Sequence, residues 1–192
     1  MLSDQTKSLV RATLPALRQH GETITKRFYE LLLGGHPELR AFFNASHQAS
    51  GAQARALAGA VLAYASHLDR LEELSDMMAL VVQKHVSLGV RPEHYPLVGQ
   101  CLLRAFADVL GEAATPEVLA AWGEAYGSLA DLLIRAEEAA YRARAEAPGG
   151  WRGERLFRVA RREREGETIT SFYLEPVDGG PLLRFTPGQY TT

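Results

Sequence analysis

MALVVQKHVSLGVRPEHY, residues Met78–Tyr95, sets a histidine on the apolar stripe of a short helix. Met78, Val81, Val82 and His85 fall at i, i+3, i+4 and i+7, the spacing of one helix face. Gly89 and Pro92 follow closely and stop that helix. A histidine facing an apolar interior just before a helix break suits the single protein ligand of a haem iron. A core histidine held by hydrogen bonds fits the same pattern, so the rest of the chain has to decide.

Upstream, Ser3-Asp4 is a plausible helix cap, and Leu9, Val10, Ala12, Thr13 and Leu17 mark a first helix that Pro15 should bend or end. Gly21 reads as punctuation. A second helix is expected over Thr23–Leu33, with Ile24, Phe28, Leu31 and Leu32 inward and Tyr29 beside that face. His36-Pro37-Glu38 opens a short helical turn through Phe42-Phe43, and 44–51 reads as a loop. Ala52–Leu68 is a helix whose stripe runs through Leu57 and Val61; Gln53, one turn before Leu57, shares its edge.

Downstream, the helix carrying His85 spans Leu74–Leu88, and His94–Leu110 is the next, with Tyr95, Val98, Leu102 and Phe106 in register. Thr115-Pro116-Glu117 starts a last helix that runs to about Ala145. On its stripe Glu137 stands where the period calls for an apolar residue. From Trp151 the pattern changes to strand-like alternation, around Phe157 and Val159 and again over Ile169–Leu174, with Asp178-Gly179-Gly180 as a turn. Residues 152–164 hold six Arg against two Glu, which a solvated strand face explains at least as well as an anion site.

Composition bounds the rest. The 192 residues suffice for one domain with a real core plus a fragment, and the net charge of -2 gives no reason to expect nucleic acid as a partner. A single cysteine, Cys101, excludes an internal disulfide framework, fits a reducing compartment and reads as inert core. The N-terminus lacks a signal-peptide pattern, and no apolar run approaches the ~20 residues of a membrane span, so a cytoplasmic location without a transmembrane segment is expected. No phosphate-cradling glycine motif, CxxC or HExxH is present.

Taken together, PELRAFFN (Pro37–Asn44), QKHVSLGVRPEHYPLVG (Gln83–Gly99), AWGEAYGSLA (Ala121–Ala130), GGW (Gly149–Trp151), ITSFYLEPVDGG (Ile169–Gly180) and PGQY (Pro187–Tyr190) closely resemble the flavohaemoglobins of bacteria and fungi. The resemblance spans nearly the whole chain. It implies an all-α globin fold of six to seven helices around a haem pocket over residues 1–147, and a linker over 148–152. The first strands of an incomplete ferredoxin-reductase-like FAD-binding barrel would occupy 153–192. It reads as a truncated flavohaemoglobin, with loose packing or disorder expected beyond Gly150 for want of partner strands.

The resemblance also assigns roles. His85 would be the proximal ligand of haem b, with Tyr95 and Glu137 on its other ring nitrogen to make the imidazole electron-rich. Tyr29 and Gln53 would be distal donors to the oxygen ligand. Phe43 would pack flat on the haem, and Leu57, Val61 and Leu102 would wall the pocket. Lys84 would meet a propionate or the flavin side, and Tyr190 would touch FAD. From the residues alone, Tyr95 is also an ordinary core aromatic, Glu137 an acid near a fraying helix end, Gln53 a solvent-facing amide and Lys84 a surface lysine. The implied activity is nitric oxide dioxygenation, nitric oxide and dioxygen giving nitrate, with electrons from NAD(P)H through FAD on a reductase domain. The rival expectations are an oxygen-storage or sensing globin and a haem-free helical interaction domain.

Overall fold

The first helix ends early, at Ala12 just before Pro15, one of the two outcomes that its sequence allows. The computed structural model describes residues 2–43 and 50–185. Helix α1 spans Asp4–Ala12, capped by the Ser3 hydroxyl, which accepts from the Thr6 N–H at 3.0 Å. Thr13 closes α1, its hydroxyl donating to the Val10 carbonyl at 2.6 Å. Helix α2 then runs Leu14–Gly35 with Pro15 in its first turn, where a missing N–H costs nothing. The expected break at Gly21 does not occur. Gly21 is buried inside α2, where a Cβ would lie 3.5 Å from that of Ala58, so its smallness serves close helix packing rather than a turn.

A short 3-10 helix, Pro37–Phe42, follows. Helix α3 covers Ala52–Ser66, and a second 3-10 turn, Leu71–Leu74, leads into α4, Ser75–Leu88. Helix α5 is His94–Leu110, and α6 runs Pro116–Glu146. The chain divides into two compact units, Met1–Arg135 and Ala136–Thr192.

The first unit's core gathers Val10, Leu17, Ile24, Phe28, Leu32, Ala105, Phe106, Trp122 and Ala125. Phe106 is fully buried, with its ring centroid 4.7 Å from that of Trp122. That burial stabilises the fold by roughly 3 kcal/mol. The Trp122 indole N–H donates to the Thr13 hydroxyl at 3.2 Å, tying the α1–α2 junction to α6. Tyr64 in α3 donates to the Ala125 carbonyl at 2.8 Å. A smaller cluster joins Tyr95 to Ala130 and Leu133, with Met78, Val81 and Val82 packed against it.

The second unit contains an antiparallel pair, β1 (Phe157–Arg164) and β2 (Thr170–Pro176), with a register shift between Val159 and Arg161. The strands serve as each other's ladder partners, which corrects the expectation of unpaired backbone beyond Gly150. Their side chains stay largely exposed, Val159 at 56% and Phe172 at 57%. Arg155 holds the turn: its guanidinium donates to both Asp178 carboxylate oxygens, at 2.7 and 3.0 Å, and to the carbonyls of Gly149 and Pro181. The arginine run is partly ion-paired, as in Arg158 with Glu175 and Arg161 with Glu163. Among the described residues no helix is long and apolar enough to cross a membrane.

Candidate functional site

His85 lies in the last turn of α4, and the way that helix ends fixes it. Gly89 adopts φ 74°, a left-handed conformation that glycine takes without a Cβ penalty. The Gly89 and Val90 N–H groups then return to the carbonyls of Val86 and His85, at 3.3 and 3.0 Å. The chain turns at once into α5. The Tyr95 N–H bonds the Pro92 carbonyl at 3.2 Å, which sets Tyr95 in the first turn of that helix. Its hydroxyl lies 3.2 Å from Nδ1 of His85. A sequence separation of ten residues is thus closed by one capped turn, which brings the two side chains together.

Tyr126 supports Tyr95, and His94 precedes Tyr95 in the first turn of α5. Tyr126 donates its hydroxyl to the Tyr95 carbonyl at 2.7 Å. Its ring lies so close to α5 that a Cβ on Gly99 would sit 2.6 Å from it. His94, 9% exposed, accepts the Arg91 N–H on Nδ1 at 3.1 Å and meets the Phe42 ring edge-on at 5.1 Å. Burial first, then the Arg91 charge, lowers its pKa. The signal available in the sequence was spacing: Tyr126 and Leu133 share the α6 stripe, each one turn from Leu129 and Ala130.

A second polar pair forms between α2 and α3. Tyr29 is 9% exposed, and its hydroxyl is hydrogen-bonded to the Gln53 side chain. Burial pushes the phenol up to about 12, and the Gln53 bond pulls against that rise. Phe43 stands edge-on to Tyr29, ring centroids 5.5 Å apart. Leu57 and Val61 are half-buried on α3, while Leu102 is buried in the main core. Lys84 is exposed on α4. Glu137, in the second unit, is 3% exposed, one helical turn beyond Leu133 on α6. Tyr190 lies outside the described residues.

This donor set fits a haem. Helix α4 buries only Val86 among its own residues, and Met78, Val81 and Val82 beside His85 remain half-exposed, as do Leu57 and Val61 on α3. A flat apolar group would cover such side chains. Among the described residues no three His, Cys, Asp or Glu side chains converge as a metal cage.

Comparison with known proteins points the same way. Residues 26–133 match the globin family model. A flavohemoprotein of Pseudomonas aeruginosa is 62% identical over 191 residues, covering 99% of this chain and 49% of the relative. The chain spans about half the length of the curated relatives it matches. A flavohemoglobin structure from Malassezia yamatoensis, with bound FAD and heme, superposes at a TM-score of 0.82 and 34% identity, covering 99% of this chain and 49% of that one. An engineered carbene transferase from Rhodothermus marinus, assigned as a nitric oxide dioxygenase, aligns at 41% identity and a TM-score of 0.72, covering 76% of this chain and all of that one. The chain belongs to the globin family, and its likeness to the flavohaemoglobins runs through its whole length.

Proposed function

We propose that this chain is the haem- and oxygen-binding part of a nitric oxide dioxygenase, with residues 1–147 as the globin domain, 148–152 as linker and 153–192 as part of an FAD-binding module. The observation that carries the reading is the buried Tyr29 hydroxyl hydrogen-bonded to Gln53. A phenol and an amide held together in a dry site are donors set in advance for a ligand that gains negative charge.

Haem iron, when bound, supplies the oxygen-binding and one-electron chemistry by which nitric oxide and dioxygen become nitrate. His85 would hold it through Nε2. With Nε2 so used, Nδ1 would carry the proton and donate it to the Tyr95 oxygen 3.2 Å away, fixing the ring's tautomer and orientation. Tyr126 holds the Tyr95 backbone, so the acceptor does not wander. Glu137 is the carboxylate that the family resemblance adds to this pair. A carboxylate partner raises the electron density of the imidazole, which favours oxygen activation over simple carriage.

On the distal side Tyr29 stays protonated at every physiological pH, so it remains a donor. Gln53 supplies a second donor through its amide, and Phe43 holds the Tyr29 ring from one edge. Leu57 and Val61 exclude water around them, and Leu102 backs the pocket from the core. Lys84 is proposed to meet a haem propionate, and Tyr190 the flavin. Electrons come, in this reading, from NAD(P)H through FAD on a reductase module. The test is single turnover: the haem-loaded, oxygenated chain mixed with nitric oxide gives one nitrate per haem at once, and repeats only with an added flavin reductase. A chain that gives one nitrate per haem but does not turn over with the flavin reductase present is a storage or sensing globin.

A further inference from the structure

We infer that Thr25 is a positioning residue for the Tyr29–Gln53 donor pair, through the hydroxyl bond it makes from α2 to α3. The inference rests on the distal role proposed above. Thr25 is 2% exposed. A threonine inside a helix usually satisfies its hydroxyl on a carbonyl one turn back. Thr25 has two such acceptors, Gly21 at 3.1 Å and Glu22 at 3.2 Å. Its shortest contact belongs to the other helix, the Ala54 carbonyl at 2.7 Å. One hydroxyl carries one proton, so the cross-helix acceptor is the one best served.

Position gives that bond its consequence. Ala54 is the residue after Gln53, in the first turn of α3. Tyr29 lies four residues beyond Thr25, one turn along α2 on the same face. The bond therefore joins the turn bearing one donor to the turn bearing the other. The start of α3 has little else to fix it from its own cap: Gly51 stands at the N-cap with φ 69° and offers no side chain. Below the bond the helices are already close, with a Cβ on Gly21 placed 3.5 Å from that of Ala58. Packing sets the separation of α2 and α3 there. The directional hydroxyl bond sets their axial register, on which the approach of Tyr29 to Gln53 depends.

The experiment uses the full chain loaded with haem, in its ferrous carbon monoxide form, as Thr25→Val, Thr25→Ser and Tyr29→Phe. Valine keeps the side chain's shape and removes only the donor. Haem stoichiometry and helix content establish that each variant is folded. Three quantities are read: the infrared band of bound carbon monoxide, the exchange rate of the Gln53 side-chain amide protons by NMR, and the oxygen dissociation rate. In Thr25→Val we expect the band to broaden and move to higher frequency, the Gln53 protons to exchange faster, and oxygen to leave roughly threefold faster, a partial loss of one donor bond. Thr25→Ser should restore all three. A merely structural role would lower the melting temperature of Thr25→Val and leave the band and the amide exchange unmoved. That result, with Tyr29→Phe still shifting the band, overturns the inference. If Tyr29→Phe itself leaves the band unmoved, the distal reading has failed. Gln53 amide exchange in Thr25→Val then decides by itself whether the hydroxyl positions the pair.

Discussion

Tyr126 donates its hydroxyl to the main-chain carbonyl of Tyr95 at 2.7 Å. That contact fixes the first turn of α5, from which the Tyr95 hydroxyl reaches Nδ1 of His85. Tyr126→Phe keeps the ring and removes only the donor. It should cost about 1 kcal/mol in urea unfolding. The iron–histidine stretching band of the ferrous haem form should broaden or shift, because the proximal acceptor is less well held. A variant with lower stability but an unmoved band would limit Tyr126 to packing.

Gly99 is the other half of that arrangement. A Cβ at this position would stand 2.6 and 2.9 Å from two ring atoms of Tyr126, closer than real contacts permit. In an open helix Gly→Ala would stabilise by up to ~1 kcal/mol. Here the ring must move, so Gly99→Ala should instead destabilise by roughly 1–3 kcal/mol. In Gly99→Ala/Tyr126→Leu the penalty should largely disappear, which denaturant midpoints of the three variants will check.

Much of this was legible in the sequence, and the parts that were not share a cause. Helical periodicity placed His85, the α5 boundaries and the buried Glu137, since each is a statement about one helix face. The start of α2 was misjudged because Gly21 is read as punctuation by composition, whereas it continues that helix beside Ala58 of another. The roles of Thr25 and His94 carry no mark in a single sequence for the same reason, and for Tyr126 periodicity marks the stripe but not the partner. Their partners are Ala54, Arg91 and Tyr95, and all three contacts end on backbone atoms, which no side-chain pattern encodes. The pairing of β1 with β2 was missed because missing neighbours were weighed more heavily than the hairpin's own ladder.

Tyr29 gives a stability dependence on alkaline pH. Its phenol is pushed up from about 10 to about 12 by burial. The folded state therefore favours the neutral form. That contribution is fully present below pH 10 and is lost as the pH rises through 12. It amounts to roughly 2–3 kcal/mol. The difference in unfolding free energy between wild type and Tyr29→Phe, followed from pH 9 to 12, should shift in favour of the variant. Between pH 6 and 9 the oxygen dissociation rate should be flat in wild type, and about 5- to 100-fold faster in Tyr29→Phe, the loss of a hydrogen bond to a charged acceptor. An unchanged rate would remove Tyr29 from the distal role.

His94 gives the opposite limb. Its pKa is lowered, chiefly by burial, so the fold favours the neutral ring whose Nδ1 accepts the Arg91 N–H. This stability is present above the ordinary histidine value near 6.5 and is lost as the pH falls through the lower folded value. His94→Gln keeps an acceptor that does not titrate. Between pH 7 and 5, wild type should lose stability that His94→Gln retains. Parallel urea midpoints of the two proteins over that range would show instead that Arg91 and His94 do not contribute to the acid limb.

Glu137 is, among the described residues, the one acid with under a tenth of its surface exposed. A buried carboxylate is costly unless other groups compensate it, which argues for a role beyond helix solubility. Its charge already reaches Tyr141, one turn further along α6: burial first and Glu137 second raise that phenol. Glu137→Gln preserves shape and removes the charge. Two outcomes are expected together. The iron–histidine stretching band should fall in frequency as the imidazole loses its carboxylate partner, and Tyr141 should titrate at lower pH. If Tyr141 moves and the band does not, Glu137 is a buried charge acting only within its own helix, and the proximal assignment reduces to His85 and Tyr95. If both move, oxygen activation should fall with the band, and nitrate formation per haem in single turnover will slow while oxygen binding persists.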